Sequence, residues 1–150
     1  MAPVMTPNLQ RATTSVLLID SNANDRAFYA NGLKRCSPNY LILEATDGQL
    51  GIDLYRQSRR IDCVVMELVL PDRSGFELLV HLLPTPSRPN VAVIVLTTHS
   101  YRGLWEFATQ NGAYGCFVKR YTSSEYLDKA IQCAVAHVGV MPKEEWHRPN

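Results

Sequence analysis

The chain has 150 residues, of which 46% are hydrophobic and 19% charged, and its formal net charge is +1. This length is typical of one globular domain, and the charge balance does not favour binding to nucleic acid or to a membrane surface. No apolar run approaches about 18 residues, and no basic flank precedes an apolar core at the N-terminus, so the sequence predicts neither a membrane helix nor a secretion signal. Four cysteines without CxxC spacing favour free thiols over a disulfide or zinc framework. The protein is predicted to be cytoplasmic.

Strand and helix patterns alternate five times along the chain. Residues 1–14 are predicted to be a disordered leader, 15–138 the folded domain and 139–150 a polar C-terminal tail. The predicted strands are Ser15–Asp20, Tyr40–Ala45, Cys63–Met66, Val91–Leu96 and Tyr114–Lys119. The predicted helices are Asp25–Cys36, Gln49–Arg60, Gly75–Leu83, Tyr101–Gln110 and a last one, capped by Ser123 or Ser124, that ends near Val138. Apolar strands that alternate with helices indicate a parallel sheet with helices on both faces.

Helix caps and inward faces follow from the same patterns. Asn24 is a suitable N-cap for the first helix, whose inward residues are predicted to include Phe28 and Leu33. The second helix is predicted to turn Ile52 and Tyr55 inward. The apolar residues of the last helix recur at helical spacing and predict its core stripe, which consists of Leu127, Ala130, Ile131, Ala134 and Val138.

The polar residues of interest fall at the ends of predicted strands. Asp20 and Ser21 follow the first strand, Glu67 follows the central strand, and Thr97 and Lys119 close the last two. Open α/β sheets bind ligands at the carboxyl ends of their strands, so these side chains are expected to meet at one edge. Simpler roles remain open at this point: Asp20 and Thr97 can cap the helices that follow, and Ser21 suits a turn.

Several separated segments resemble the receiver domain of response regulators in two-component signalling (the CheY-like family). Val16-Leu-Leu-Ile-Asp20 resembles its first strand, and Glu67-Leu-Val-Leu-Pro71 with Ser74-Gly75 resembles the phosphoacceptor strand and loop. Val95-Leu-Thr-Thr98 resembles the strand that ends in the switch hydroxyl, and Gly112-Ala-Tyr-Gly115 with Val118-Lys119 resembles the lysine-bearing fifth strand. The resemblance covers roughly Ser15 to Val138 and implies a flavodoxin-like (βα)5 fold with five parallel strands.

The resemblance also implies a chemistry, namely phosphoryl transfer from a histidine kinase to an aspartate. Carboxylates and a backbone carbonyl hold Mg²⁺, and the lysine neutralises the phosphoryl oxygens. Here the acceptor position is Glu67, whose extra methylene moves the carboxylate about 1.5 Å outward. Ser21 stands where a second acidic residue is usual, which leaves Asp20, Glu67 and the carbonyl of Val69 as a weakened Mg²⁺ site.

Two further departures from the family lie in and after the fifth strand. Cys116 stands where the family often has an aromatic switch residue, and Arg120 follows Lys119 where the family usually has a proline in a cis bond. A cis bond before a non-proline residue costs about 2.5–4 kcal/mol. A trans bond and a rearranged loop are therefore predicted after Lys119.

These departures favour a degenerate receiver, or pseudo-receiver, whose pocket is held in one state by an ion pair between Lys119 and Glu67. Thr97 and Thr98 are then the switch and phosphate-pocket hydroxyls, and any enzymatic activity is limited to self-phosphorylation and dephosphorylation. The predicted partners are a histidine kinase or a downstream signalling protein, or a second copy of the chain, with no direct contact to nucleic acid or membrane. They would dock on the face formed by the fourth helix, fifth strand and fifth helix, where the candidate residues are Tyr101, Trp105, Tyr114, Cys116, Tyr121 and Tyr126.

Two alternatives remain open from the sequence. The first is a conventional regulator that accepts phosphate with Mg²⁺. The second is a small-molecule binder on a flavodoxin-like fold, for which Ser21-Asn-Ala-Asn24 is a poor phosphate loop because it lacks glycine.

Overall fold

A computed structural model describes residues 13–87 and 89–139. Five strands alternate with five helices in chain order: β1 Thr14–Ile19, α1 Ala23–Cys36, β2 Tyr40–Ala45, α2 Gly48–Gln57, β3 Cys63–Met66, α3 Gly75–Leu82, β4 Ala92–Thr97, α4 Leu104–Gln110, β5 Gly115–Val118 and α5 Ser124–Gly139. The strands form one parallel sheet in the order β2-β1-β3-β4-β5. This architecture confirms the predicted flavodoxin-like fold.

Apolar side chains of the central strand divide the core between the two faces of the sheet. Val64 and Met66 of β3 pack with residues of α2, α3 and α4, while Cys63 and Val65 pack with residues of α1 and α5. This division follows from the period of two residues along a strand. All four β3 residues are fully buried, as expected for a central parallel strand, and every member of the predicted stripe on α5 is buried.

Two predictions about helix α1 were wrong. Its N-cap is Asn22, whose side chain accepts a hydrogen bond from the N–H of Asp25, so the helix begins two residues before the predicted start. Leu33 is buried as predicted, but Phe28 is 58% exposed. Tyr29 takes the inward position instead, because its ring packs in the core while its hydroxyl reaches main-chain carbonyls.

Other helix and strand ends differ from the predicted ones for local reasons. Helix α2 ends at Gln57 because Ser58 has an extended backbone. Helix α4 begins only at Leu104, since Gly103 before it has a left-handed backbone with φ of 84°. Lys119 does not belong to β5 but opens a short 3₁₀ turn, Lys119–Tyr121.

The predicted terminal segments fall largely outside the described residues. Thr14 already belongs to β1, one residue before the predicted first strand, and Gly139 is the last residue of α5. The remainder of the predicted leader and the tail from residue 140 are not described. Within 13–87 and 89–139, no helix is long and apolar enough to cross a membrane.

Candidate functional site

The carboxyl ends of four neighbouring strands bring the predicted pocket residues together. Asp20 follows β1, Glu67 follows β3, Thr97 ends β4 and Lys119 follows β5. The side chains of Asp20 and Glu67 are each only 5% exposed, and Thr97 is fully buried. Buried ionised groups need partners, so the contacts of these side chains decide what the pocket can do.

Glu67 uses both of its carboxylate oxygens within the protein. Oε1 accepts hydrogen bonds from the hydroxyl of Thr97 and from the N–H of Leu68, the latter at 2.7 Å. Oε2 accepts a hydrogen bond from the N–H of Thr98 at 3.1 Å and lies 3.1 Å from Nζ of Lys119. Burial alone raises the pKa of Glu67, but the hydrogen bonds from Thr97 and Lys119 outweigh it and hold the pKa below the ordinary value of 4.5. Glu67 is therefore an ionised and fully engaged carboxylate.

Lys119 lies among three carboxylates. Its Nζ is 2.7 Å from Oδ2 of Asp20, 2.8 Å from Oδ2 of Asp25 and 3.1 Å from Oε2 of Glu67. Burial alone lowers the pKa of Lys119, but these three carboxylates outweigh burial and raise the pKa well above 10.5. With one cation and three anions, the pocket carries a formal charge of −2.

Ser21 and Val69, which the resemblance implied as a pocket residue and a carbonyl ligand, are both exposed residues. Ser21 is exposed, and its side chain makes no hydrogen bond with any residue in the described ranges. Val69 turns its N–H toward Oε1 of Glu67, at 3.4 Å, and its side chain is exposed. Thr98 supplies a main-chain donor to Glu67, and its hydroxyl is 3.4 Å from Oε2.

Asp25 and Tyr29 are pocket residues that the sequence analysis missed. Asp25 pairs with Lys119, and the hydroxyl of Tyr29 donates to the carbonyls of Lys119 and Thr122, at 3.1 Å and 2.8 Å. The cap assigned to Asn24 hid the role of Asp25, because it placed Asp25 at the very start of α1. A cap at Asn22 extends the helix by two residues and makes Asp25 its third residue, where the carboxylate contacts Lys119.

The loop after the central strand is held by a second carboxylate that was not predicted. Asp72 accepts hydrogen bonds from the N–H groups of Gly48 and Gln49, at 2.9 Å and 2.8 Å, at the beginning of α2. Burial opposes ionisation, but these main-chain donors together outweigh it and lower the pKa of Asp72. Carboxylates are favoured at helix N-termini, so this contact ties the loop to α2.

The chain after β5 follows the predicted departure from the family. No peptide bond among the described residues is cis, and Lys119–Tyr121 forms a 3₁₀ turn. Cys116 is half-buried against the core cluster that includes Met66, and burial, with the charge of Glu67, raises the pKa of its thiol to about 11. Cys116 therefore lies toward the pocket side rather than among the exposed aromatic residues.

Five exposed aromatic residues lie on or next to α4, β5 and α5. We define them together as the aromatic surface, which consists of Tyr101, Trp105, Tyr114, Tyr121 and Tyr126, with Tyr121 75% exposed. Tyr126 packs edge-on against Phe117 with ring centroids 5.7 Å apart, and the guanidinium of Arg120 lies 4.9 Å from the ring centre of Tyr121. Exposed aromatic residues are frequent anchors at protein–protein interfaces.

The carboxylates of the pocket do not fit Mg²⁺ as they are arranged. Mg²⁺ requires oxygen ligands at about 2.0–2.1 Å in octahedral geometry. Asp20 and Glu67 both contact the ammonium of Lys119, and Oδ1 of Asp20 accepts the N–H of Asn22 at 2.9 Å. Within the described part of the chain, no group of three or more His, Cys, Asp or Glu side chains has a metal-binding arrangement.

Comparison with known proteins identifies the family. Residues 16–132 match the family model of the response regulator receiver domain. The chain belongs to this family. Receiver domains act in two-component signalling, where they interact with histidine kinases and with downstream signalling proteins.

One relative and two solved structures illustrate the similarity. The Arabidopsis thaliana protein "Two-component response regulator-like APRR7" is 32% identical over 114 residues, which are 75% of this chain and 15% of that protein. The signal receiver domain of the putative Luxo repressor protein from Vibrio parahaemolyticus has a TM-score of 0.73 at 21% identity, with 92% of this chain and 99% of that chain covered. The Mn²⁺-bound form of the response regulator Rcp1 has a TM-score of 0.68 at 18% identity, with 86% and 99% covered.

The coverage limits what these relatives say about this protein. The chain spans between 15% and 19% of the lengths of the first four relatives, so the similarity concerns their receiver portion alone. The solved structures are under 25% identical and support the fold. In the pocket of this receiver domain, the carboxylate of Glu67 is bonded to Thr97 and Lys119.

Proposed function

We propose that this receiver domain is a pseudo-receiver, which acts through protein–protein interaction while its pocket is held in one state by Glu67. The observation that supports this proposal is the simultaneous contact of the Glu67 carboxylate with Thr97, Thr98 and Lys119. In the family, these are the hydroxyl and ammonium groups that a phosphoryl group engages. A side chain of this protein engages them without any phosphoryl group.

The same contacts make Glu67 a poor phosphoacceptor. A carboxylate oxygen that attacks phosphorus must offer a free lone pair in line with the leaving oxygen, and displacement by about 1 Å is already costly. Oε1 of Glu67 accepts three hydrogen bonds, and Oε2 is bonded to Thr98 and Lys119. Phosphorylation would require these bonds to break. We therefore assign the domain no enzymatic turnover beyond, at most, slow self-phosphorylation and dephosphorylation.

Binding of Mg²⁺ would require these contacts to rearrange, so we expect the affinity of the pocket for this ion to be weak. A divalent ion that used Asp20 and Glu67 would have to displace the ammonium of Lys119 from both carboxylates. The carboxylate that the family usually supplies next to Asp20 is replaced by the exposed hydroxyl of Ser21. Two engaged carboxylates and the carbonyl of Val69 are a small donor set for this ion.

The output of the domain is assigned to the aromatic surface. Trp105 and Tyr126 are 55% and 56% exposed and lie on α4 and α5. Aromatic side chains provide much contact area at a small entropic cost, which makes them frequent anchors at interfaces. We propose that a histidine kinase, a downstream signalling protein or a second copy of the chain docks there, in the cytoplasm, without direct contact to nucleic acid or membrane. The receiver domain of this proposal comprises residues 15–138.

Phosphoryl uptake by the whole chain tests this function. The wild-type protein is incubated with Mg²⁺ and acetyl phosphate, and its intact mass is followed over time beside the variant Glu67→Asp. The wild type is expected to show no phosphoryl adduct, since its acceptor carboxylate is engaged. A stoichiometric adduct on Glu67 would favour the alternative, a conventional Mg²⁺-dependent phosphoaccepting regulator. The aspartate variant shows whether the rest of the pocket is competent.

A further inference from the structure

We infer, on the basis of the proposed function, that one face of helix α1 positions Lys119 in the pocket through Asp25 and Tyr29. The two residues are four positions apart and therefore lie on the same side of the helix. Asp25 holds the ammonium, with 2.8 Å between Oδ2 and Nζ. Tyr29 holds the main chain of the same residue, because its hydroxyl donates to the carbonyl of Lys119.

Asp25 is not explained as a helix cap. The cap of α1 is the side chain of Asn22, and Asp25 contributes only its N–H to that contact. An acidic residue in the first turn stabilises a helix through its charge alone, without any particular partner. The carboxylate of Asp25 instead contacts an ammonium 94 positions away in sequence. A role limited to the helix and a role in holding Lys119 are thus distinguishable by experiment.

The position of Asp25 suits a counter-ion better than a metal ligand. With Ser21 uncharged, the usual second carboxylate is absent, and Asp25 restores one negative charge from the helix side of Lys119. Its side chain is 37% exposed, whereas that of Asp20 is 5% exposed. Lys119 is therefore held between a buried pair of carboxylates, Asp20 and Glu67, and an outer one, Asp25.

Helix α1 is itself held firmly enough to position another residue. Gly32 of α1 faces Ser124 of α5 so closely that a Cβ at residue 32 would lie 2.0 Å from Oγ of Ser124. Tyr29 also donates to the carbonyl of Thr122, two residues before α5 begins. These contacts join α1, the 3₁₀ turn and α5, so a shift of α1 would be transmitted to Lys119.

Side-chain ammonium signals in ¹H–¹⁵N spectra of the whole chain test the role of Asp25. The chain has four lysines, Lys34, Lys119, Lys129 and Lys143, and the signal of Lys119 is identified by its loss in Lys119→Met. In Asp25→Asn, the ammonium protons of Lys119 are expected to exchange with solvent at least about tenfold faster, because one charge-assisted hydrogen bond is lost. The matched control is Asp53→Asn on α2, whose carboxylate, among the described residues, accepts a hydrogen bond from the side chain of Gln49 and from no other group. Equal exchange in Asp25→Asn and Asp53→Asn would overturn the inference.

A second pair of variants tests the main-chain contact. Tyr29→Phe removes only a hydroxyl and keeps the buried ring, so the domain is expected to stay folded while the ammonium signal of Lys119 shifts and exchanges faster. Tyr126→Phe removes a hydroxyl from an exposed ring and is expected to leave that signal unchanged. An unchanged Lys119 signal in Tyr29→Phe would remove Tyr29 from the inference.

The outcomes separate this inference from the proposed function. The proposed function fails if the wild type takes up a phosphoryl group. The positioning role of α1 fails if Asp25→Asn leaves the exchange of Lys119 unchanged, whatever the result with acetyl phosphate.

Discussion

The pocket and the aromatic surface differ in how many of their side chains have partners within the protein. In the pocket, Glu67 and Lys119 are buried, and each contacts several partners. On the aromatic surface, rings such as Trp105 and Tyr121 remain more than half exposed. The difference indicates that the polar groups of the pocket have partners within the domain, whereas the exposed rings leave area free for the proposed partner. Variants at the two regions should therefore affect different properties.

The largest expected effect comes from removing the pocket cation. Lys119→Met leaves Asp20 and Glu67 buried without a counter-ion, and loss of one partner of a buried ion pair costs about 3–5 kcal/mol. The free energy of unfolding, measured by urea denaturation, is expected to fall by that amount. Lys129→Met on the exposed side of α5 is the control and should change it little. Similar losses in both variants would show that the ion pairs of Lys119 do not contribute to the free energy of unfolding.

A smaller effect on stability is expected when the side chain of Glu67 is shortened. Glu67→Asp withdraws the carboxylate from Thr97 and Thr98 and should cost about 1–3 kcal/mol through the buried donors left without a partner. The same variant is expected to bind a phosphoryl mimic better than the wild type, because its carboxylate stands further back. Glu67→Gln keeps the length of the side chain and removes its charge, so it distinguishes the effect of side-chain length from the effect of charge. A stability equal to that of the wild type in Glu67→Asp would contradict the account of the Thr97 and Thr98 contacts.

The contribution of Glu67 to the pH dependence of the free energy of unfolding should be smaller than the effects of these substitutions, because the chain has many other carboxylates. The pKa of Glu67 is lowered in the folded state, so its contribution is present above the ordinary value of 4.5 and is lost as the pH falls through the lowered pKa. Chemical denaturation between neutral and acid pH is expected to show this loss in the wild type. The difference between the wild type and Glu67→Gln should narrow on acidification. A constant difference across that range would argue against an ionised Glu67.

The smallest effect on stability is expected at the aromatic surface. Trp105→Ala and Tyr126→Ala remove exposed rings and should change the free energy of unfolding by no more than about 0.5–1 kcal/mol. If a second copy of the chain docks there, the same variants weaken self-association in sedimentation velocity experiments. Phe28→Ala, an exposed aromatic residue on α1 outside this surface, is the matched control. Unchanged association in Trp105→Ala and Tyr126→Ala would exclude this surface as the contact between copies.

The sequence predicted the sheet well because buried parallel strands have an unmistakable composition. Tyr40–Ala45 and Cys63–Met66 have the predicted bounds, and the order of elements follows from their alternation. Strand ends also predicted that Asp20, Glu67, Thr97 and Lys119 would lie at one edge. What could not be predicted was how side chains from a helix join them, because this depends on the rotation of α1 about its axis. Asn22 rather than Asn24 caps this helix, and that change of two residues determines where Asp25 lies.

The wrong prediction for Phe28 and Tyr29 also arose because local sequence patterns do not show tertiary contacts. Phe28 and Tyr29 are adjacent and both apolar enough for a core, and periodicity alone assigned the inward position to Phe28. Tyr29 is the buried residue of the two, because its hydroxyl donates hydrogen bonds to two carbonyl groups inside the protein. Hydrogen-bond acceptors contributed by a turn some 90 residues away in sequence are invisible to a local pattern.

The most direct test of the account is a titration of the wild-type chain with beryllofluoride and Mg²⁺, followed through the NMR signals of Thr97 and Lys119. Because Glu67 already engages both residues, the account predicts that their signals do not shift with saturation, while those of Glu67→Asp do. Saturable shifts of Thr97 and Lys119 in the wild type would contradict it, since they would show that the pocket still exchanges its glutamate contacts for a phosphoryl group.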